Sequence, residues 1–218
     1  MALIPKQERE EFVSILSSDA TLRKVVPEGT PGAVVREYVD SNKVKATKHE
    51  LVFEEIQGMI KGLKFVDTNY GTLIQVTIDD EILSLSTSLS FGEDFMKKLP
   101  NIDLSQMVFI KPYAFRTEGR DKDTKGLSIT QGNGQKIQNY FWDNEKKEPK
   151  NGMPKPDGDI SKYKPDDWKI YFLQVRKFLI NNTQEKFAHL FAKPELAPVQ
   201  STEDTEMNEL ADEMKQAF

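Results

Sequence analysis

Residues 115–142, FRTEGRDKDTKGLSITQGNGQKIQNYFW, set cations between rings. Arg116, Arg120, Lys122, Lys125 and Lys136 lie between Phe115 at one end and Tyr140, Phe141 and Trp142 at the other. A core has no use for the charges, and solvation alone has no use for the aromatics. Together they meet two demands of an unpaired polynucleotide: cations for its phosphates, and flat ring faces for its unstacked bases, each stack contributing about 1–3 kcal/mol. Lys61 and Lys64 join the cation set, and Tyr70 and Tyr113 join Phe115, Tyr140 and Trp142 as stacking candidates. Period-two alternation over 136–142 puts Lys136, Gln138, Tyr140 and Trp142 on one wet face and Ile137, Asn139 and Phe141 on the other. Tyr70, in a turn, has the fewest packing reasons to be aromatic. Glu118, Asp121 and Asp123 interrupt the cations, as they would in an ordinary solvated loop.

The net charge of −5 hides an uneven distribution. Residues 111–193 hold 17 basic against 11 acidic groups, a net of +6, whereas 195–218 hold seven acids against Lys215, a net of −6. A basic flank and a separable acidic end follow. In that end Met207, Leu210, Met214 and Phe218 fall at helical spacing, a stripe suited to docking a replication or recombination protein.

Other chemistries find little support. With no cysteine, disulfides and thiolate metal sites are excluded, which suits a reducing cytoplasm. No apolar run approaches the roughly 20 residues of a membrane span. Asp121, Asp123 and Gly126 begin like a calcium loop, but Lys125 stands at its fifth position and Gly132 at its twelfth, where a carboxylate is needed. No phosphate-binding or dinucleotide fingerprint occurs. His49 and His189 are the only imidazoles, and both lie outside residues 51–142. The enzyme alternative is a metal-dependent nuclease, in which Asp157 and the Asp167-Trp168-Lys169 run would hold Mg²⁺ and a water. That chemistry wants paired strands, whereas these residues fall in a Pro/Gly-rich segment and at a helix start. The expectation is a binding protein, not an enzyme, with no cofactor and no metal; the other alternative is a module of the same kind that binds only protein partners.

The elements that position these groups read as mainly β with flanking helices. Residues 5–18 predict a short helix from Phe12, Ile15 and Leu16. Strands follow at AVVREYV and HELVFEEIQGMI, the latter opening an extended stretch to Val66 in which Gly58 and Gly62 predict bulges. After the DTNYG turn come TLIQVTI and ILSLSTS, a short helix at FGEDFMKKLP, and a strand at DLSQMVFIKPYAF. GLSIT and KIQNYFW then form a hairpin through Asn133-Gly134. Strand, strand, strand, helix, strand, strand is the order of an OB-fold, a five-stranded Greek-key barrel that binds oligonucleotides on its second and third strands and through two loops. Here those loops are DTNYG and the basic RTEGRDKDTKG.

Three stretches, LKFVDTNYGTLIQVTIDD, KKLPNIDLSQMVFIKPYAF and GLSITQGNGQKIQNYF, resemble the single-stranded DNA-binding proteins of tailed bacteriophages. The shared features are a Tyr-Gly turn before an alternating strand, a Leu-Pro-Asn-x-Asp-Leu segment after the short helix, and a Gly-hydrophobic-Ser-Ile-x-Gln hairpin. An aromatic amphipathic helix after a Lys/Pro-rich linker, as in DDWKIYFLQV, belongs to the same likeness. The resemblance implies an OB-fold, binding without sequence preference that coats and protects exposed strands, and a role in phage DNA replication or recombination in the host cytoplasm. It is clearest over residues 63–142, covers roughly 80 to 120 residues in all, and leaves the first 50 unaccounted for.

The expected organisation is an N-terminal helix and strand extension over 1–50, the barrel over 51–142, and a Lys/Pro-rich linker over 143–165. An amphipathic helix over 166–193, carrying Trp168, Tyr171, Phe172, Val175 and Leu179 toward the barrel, precedes an acidic tail over 194–218. The expected partner is single-stranded DNA, with RNA as the second candidate. Oligomeric state is left open.

Overall fold

Phe12, Ile15 and Leu16 lie on a strand, not a helix. A computed structural model describes residues 12–39, 44–69, 71–116, 118 and 123–191. It places β1 (Phe12–Leu16), β2 (Thr21–Val26), β3 (Val34–Val39), β4 (Lys45–Phe53), β5 (Ile56–Gly58), β6 (Ile60–Thr68), β7 (Gly71–Ile78) and β8 (Glu81–Ser86) before α1 (Ser90–Lys98). Then come β9 (Val108–Phe115), β10 (Thr124–Gln131), β11 (Gln135–Lys136), β12 (Trp142–Asp143), β13 (Glu148–Pro149) and α2 (Pro165–Lys186). In β1 Val13 is buried and Ser14 exposed, a period-two pattern. Backbone partners on both sides decide it: β1 runs antiparallel to β2, with Ile15 opposite Leu22, and parallel to β8, with Ser14 opposite Ser84.

The protein is mainly β. A seven-stranded mixed sheet has the order β3-β4-β2-β1-β8-β7-β6, a four-stranded sheet the order β11-β10-β9-β5, and β12 pairs with β13 alone. The stretch expected to curve does so. At Gly58 (φ +152) a Cβ would lie 2.5 Å from an Asp79 carboxylate oxygen and 2.8 Å from Ile78, and Asp79 N–H donates to the Met59 carbonyl at 2.9 Å. The chain leaves the smaller sheet there and enters the larger one as β6, with a register shift between Ile60 and Gly62 against β7.

The expected closed five-stranded barrel is not what the ladders make. Among the described residues β8 pairs with β7 and β1, and β10 with β9 and β11, so these two strands do not meet. Side chains of α1 occupy the edge of β10 instead. Asp94 accepts from the Leu127 amide at 2.7 Å, and Lys98 donates to the Leu127 carbonyl while lying 2.8 Å from Asp94. A buried strand edge needs its polar groups met, and this pair meets them.

The core lies between the two sheets and the helices. Ile74, Val76 and Leu83 of the large sheet, Ile110, Leu127 and Ile129 of the small one, Phe95 of α1 and Leu99 just after it are almost wholly buried. Each contributes about 1.5–3 kcal/mol relative to exposure.

Two C-terminal expectations need correction. The return strand over KIQNYFW is only β11, because the chain is captured by α1 and the turn after it: Asn101 donates to the Gln138 carbonyl at 2.9 Å and the Tyr140 amide to the Lys97 carbonyl at 2.9 Å. In α2 the aromatic stripe does not all face the body. Val175 and Leu179 are buried, but Phe172 is 49% exposed, and the first turns meet the preceding segment, Tyr171 donating to the Pro154 carbonyl at 3.4 Å. There the rings pack on one another, Trp168 stacking on Phe172 at 5.8 Å and meeting Tyr163 at 5.0 Å. Residues 143–165 carry the β12–β13 pair and a 3-10 turn at Ile160–Lys162 that Asp159 caps. Among the described residues no helix is long and apolar enough to cross a membrane.

Candidate nucleic-acid interface

The β9–β10 hairpin brings part of the expected set together. Alternation on β9 puts Lys111, Tyr113 and Phe115 on one face, with Ser128, Gly126 and Thr124 of β10 opposite them. The rings of Tyr113 and Phe115 stack at 5.8 Å and 26°. Phe115 is 55% exposed, and Arg116 follows it, also exposed. Tyr113 is half-buried and leans across Gly126, where a Cβ would lie 2.5 Å from the tyrosine oxygen and 2.7 Å from Asp94. Only glycine leaves room for that ring. Burial, and then the Asp94 charge, push the Tyr113 phenol above its ordinary pKa, so it stays neutral at physiological pH.

Lys111 lies 3.0 Å from Glu54, both side chains more than half exposed. Such a pair is worth little and can give up its lysine to a phosphate. Lys111 was reachable from sequence, since it stands two residues before Tyr113 and four before Phe115. Lys125 acts differently, as a structural tie. Its ammonium donates to the Ser17 carbonyl at 2.6 Å and lies 3.3 Å from the Ser17 hydroxyl, joining the hairpin to the β1–β2 turn.

The rest of the set is dispersed. Lys136 pairs with Thr130, whereas Phe115 pairs with Thr124, so they sit at opposite ends of β10. Six residues of strand separate them, about 20 Å. Lys61 lies at the β6 bulge, 3.9 Å from Asp79. Lys64 is exposed on the other sheet, opposite Gln75, in a polar row that continues through Ser84 and Ser14 to Arg23. Tyr140 packs inward, edge-on to Phe141 at 5.0 Å with the Lys186 ammonium 4.2 Å above its ring. Trp142 is 38% exposed on β12, opposite Pro149. The burial half of the expected alternation holds, with Ile137 and Phe141 buried and Lys136 and Gln138 exposed, but on a path that is mostly not strand. Tyr70, Arg120, Lys122 and the tail residues Met207, Leu210, Met214 and Phe218 lie outside the described residues.

Two further features lie away from the hairpin. Asp157 and Asp167 line one cleft of about 250 Å³ with Lys155, Tyr163 and Tyr171. Asp167 spends a carboxylate oxygen on the Lys164 amide at 2.8 Å, and Lys169 pairs with Asp166 at 2.8 Å. The second is a buried ion network on the polar face of the large sheet. Glu50 is 2% exposed and takes Arg36 at 2.6 Å and Arg23 at 3.2 Å, while Arg23 also reaches Asp19 at 2.6 Å. The Arg36 hydrogen bond outweighs burial and holds the Glu50 carboxyl below its usual range. No cue in the local sequence joined residues 23, 36 and 50.

No family model, curated protein or solved structure matches the chain.

Proposed function

We propose that this chain binds single-stranded nucleic acid without sequence preference, as a coating protein rather than an enzyme. The observation that carries the proposal is the stacked Tyr113–Phe115 pair, with Phe115 open to solvent, aligned with Lys111 and followed by Arg116. A single strand laid along β9 meets rings for its bases and cations for its phosphates. The order β6, β7, β8, α1, β9, β10, with β5 and β6 serving one sheet each, supports reading the body as an OB-type architecture opened between β8 and β10. The phage replication or recombination role and the docking of partners by the acidic tail rest on the sequence resemblance and the tail's composition.

Competition binding with single-stranded DNA, duplex DNA and RNA over a salt series tests the proposal. Single strands should win, with affinity falling steeply as salt rises because phosphate contacts release counterions. Equal affinity for duplex, or a flat salt response, removes it. The shared cleft of Asp157 and Asp167 gives the nuclease alternative its one specific observation. Incubating the protein and single-stranded DNA with Mg²⁺ separates the two: protection supports coating, degradation supports the nuclease.

A further inference from the structure

We propose that β3 is a pairing edge through which two copies of this chain join their seven-stranded sheets antiparallel about a two-fold axis. This goes beyond the nucleic-acid reading and does not depend on it. The sheet has two ends, and they are finished differently. At β6, Phe191 bridges to Leu63 and stacks on Phe65 at 5.6 Å, so the chain covers that edge itself. At the other end β3 pairs with β4 and, among the described residues, with nothing else. A strand edge left open presents a row of unused amides and carbonyls, the usual template for pairing with another chain.

Side-chain exposure is concentrated at the same place. Val35 is 61% and Val39 63% exposed on one face of β3, and Val34, on its other face, is 44% exposed. Apolar surface gathered beside an open edge is what an interface between copies requires.

The sequence of β3 fits itself. A two-fold axis perpendicular to the sheet keeps each face on its own side, so only residues of like parity can oppose one another. One central register would set Arg36 against the partner's Arg36 and Val35 against the partner's Glu37. The next sets Val35 against the partner's Val39 and Arg36 against the partner's Tyr38, and symmetry makes each pair twice. Arg36 and Tyr38 already associate within one chain, the guanidinium 5.9 Å from the ring centre. Glu37 then meets its own copy, with Lys45 diagonally beside it on β4 in each chain, because Glu37 lies opposite Thr47. The second register is the one we assign.

Sedimentation velocity of the full chain over a concentration series should give a species of two 25.0 kDa chains. Val35→Lys with Val39→Lys should return it to one, and both sites are exposed enough to leave the protomer folded. Should that variant unfold, cross-linking decides. The chain has no cysteine, so Glu37→Cys is the sole thiol in its variant. Mild oxidation should bridge two copies at that position. Thr47→Cys, exposed on the neighbouring strand, should cross-link at least about tenfold more slowly, since a bridge needs Cα atoms within roughly 7 Å. A chain monomeric throughout, a dimer indifferent to the paired lysines, or equal cross-linking at 37 and 47 overturns the proposal.

Discussion

Lys125 on β10 reaches across the molecule to Ser17, its ammonium 2.6 Å from the serine carbonyl oxygen. A lysine that the sequence offers as a phosphate contact is thus a tie between the hairpin and the β1–β2 turn, 108 residues apart along the chain. Lys125→Ala should therefore lower stability by about 1–3 kcal/mol, as loss of a charge-assisted hydrogen bond does. The salt dependence of nucleic-acid binding should stay unchanged, whereas Lys111→Ala should leave stability alone and reduce the salt slope by roughly one. Urea titrations and binding isotherms on both variants check the pair.

Phe115→Ala removes an exposed ring that supports no core residue. Binding to an unstructured oligonucleotide should weaken by about 1–3 kcal/mol, with the melting temperature nearly unchanged. Anisotropy titration of a fluorescent oligonucleotide measures it. Unchanged affinity would remove Phe115 from the interface.

Gly126→Ala should be felt twice. The added methyl would sit 2.5 Å from the Tyr113 oxygen, so the ring must swing away and the Tyr113–Phe115 stack must open. A stability loss of roughly 1–3 kcal/mol is expected, as for other overpacked sites. Single-strand affinity should fall with it. A crystal structure of the variant with the Tyr113 ring unmoved would refute the account.

Glu50 makes part of the stability depend on pH. Its folded pKa is depressed, first by the Arg36 hydrogen bond, so between the folded value and the ordinary one of about 4.3 the unfolded chain binds more protons. The contribution is therefore complete above the ordinary value and is lost as pH falls through the folded one. Glu50→Gln should cost about 3–5 kcal/mol at neutral pH, since Arg36 loses its buried counter-charge and Arg23 keeps only Asp19. The variant's stability should also change less between pH 6 and acid, a comparison that denaturant melts at several pH values provide.

In α2 buried and exposed positions should respond differently. Leu179→Ala opens a cavity in the core and should cost about 2–5 kcal/mol. Phe172→Ala, at a half-exposed site, should cost markedly less, and thermal melts of both compare them.

Features governed by short-range chemistry were legible in the chain alone: the alternating strands β7 and β8, α1 from its apolar spacing, the Asn133-Gly134 turn, and the bending at Gly58 and Gly62. Each signal lies within a few residues, where periodicity and turn preference act directly. The Tyr113–Phe115 pair could be read for the same reason, since side chains two apart on a strand share a face. Whether β1 is helix or strand waited on its neighbours, because five residues satisfy both periods until β2 and β8 offer hydrogen bonds. Long-range packing also settled that Lys125 serves Ser17, that Tyr140 turns under Lys186, that Lys64 stands on the other sheet, and that Lys136 sits at the far end of β10 from Phe115. Those outcomes depend on which distant backbone comes alongside, and residue type along the chain carries no record of it.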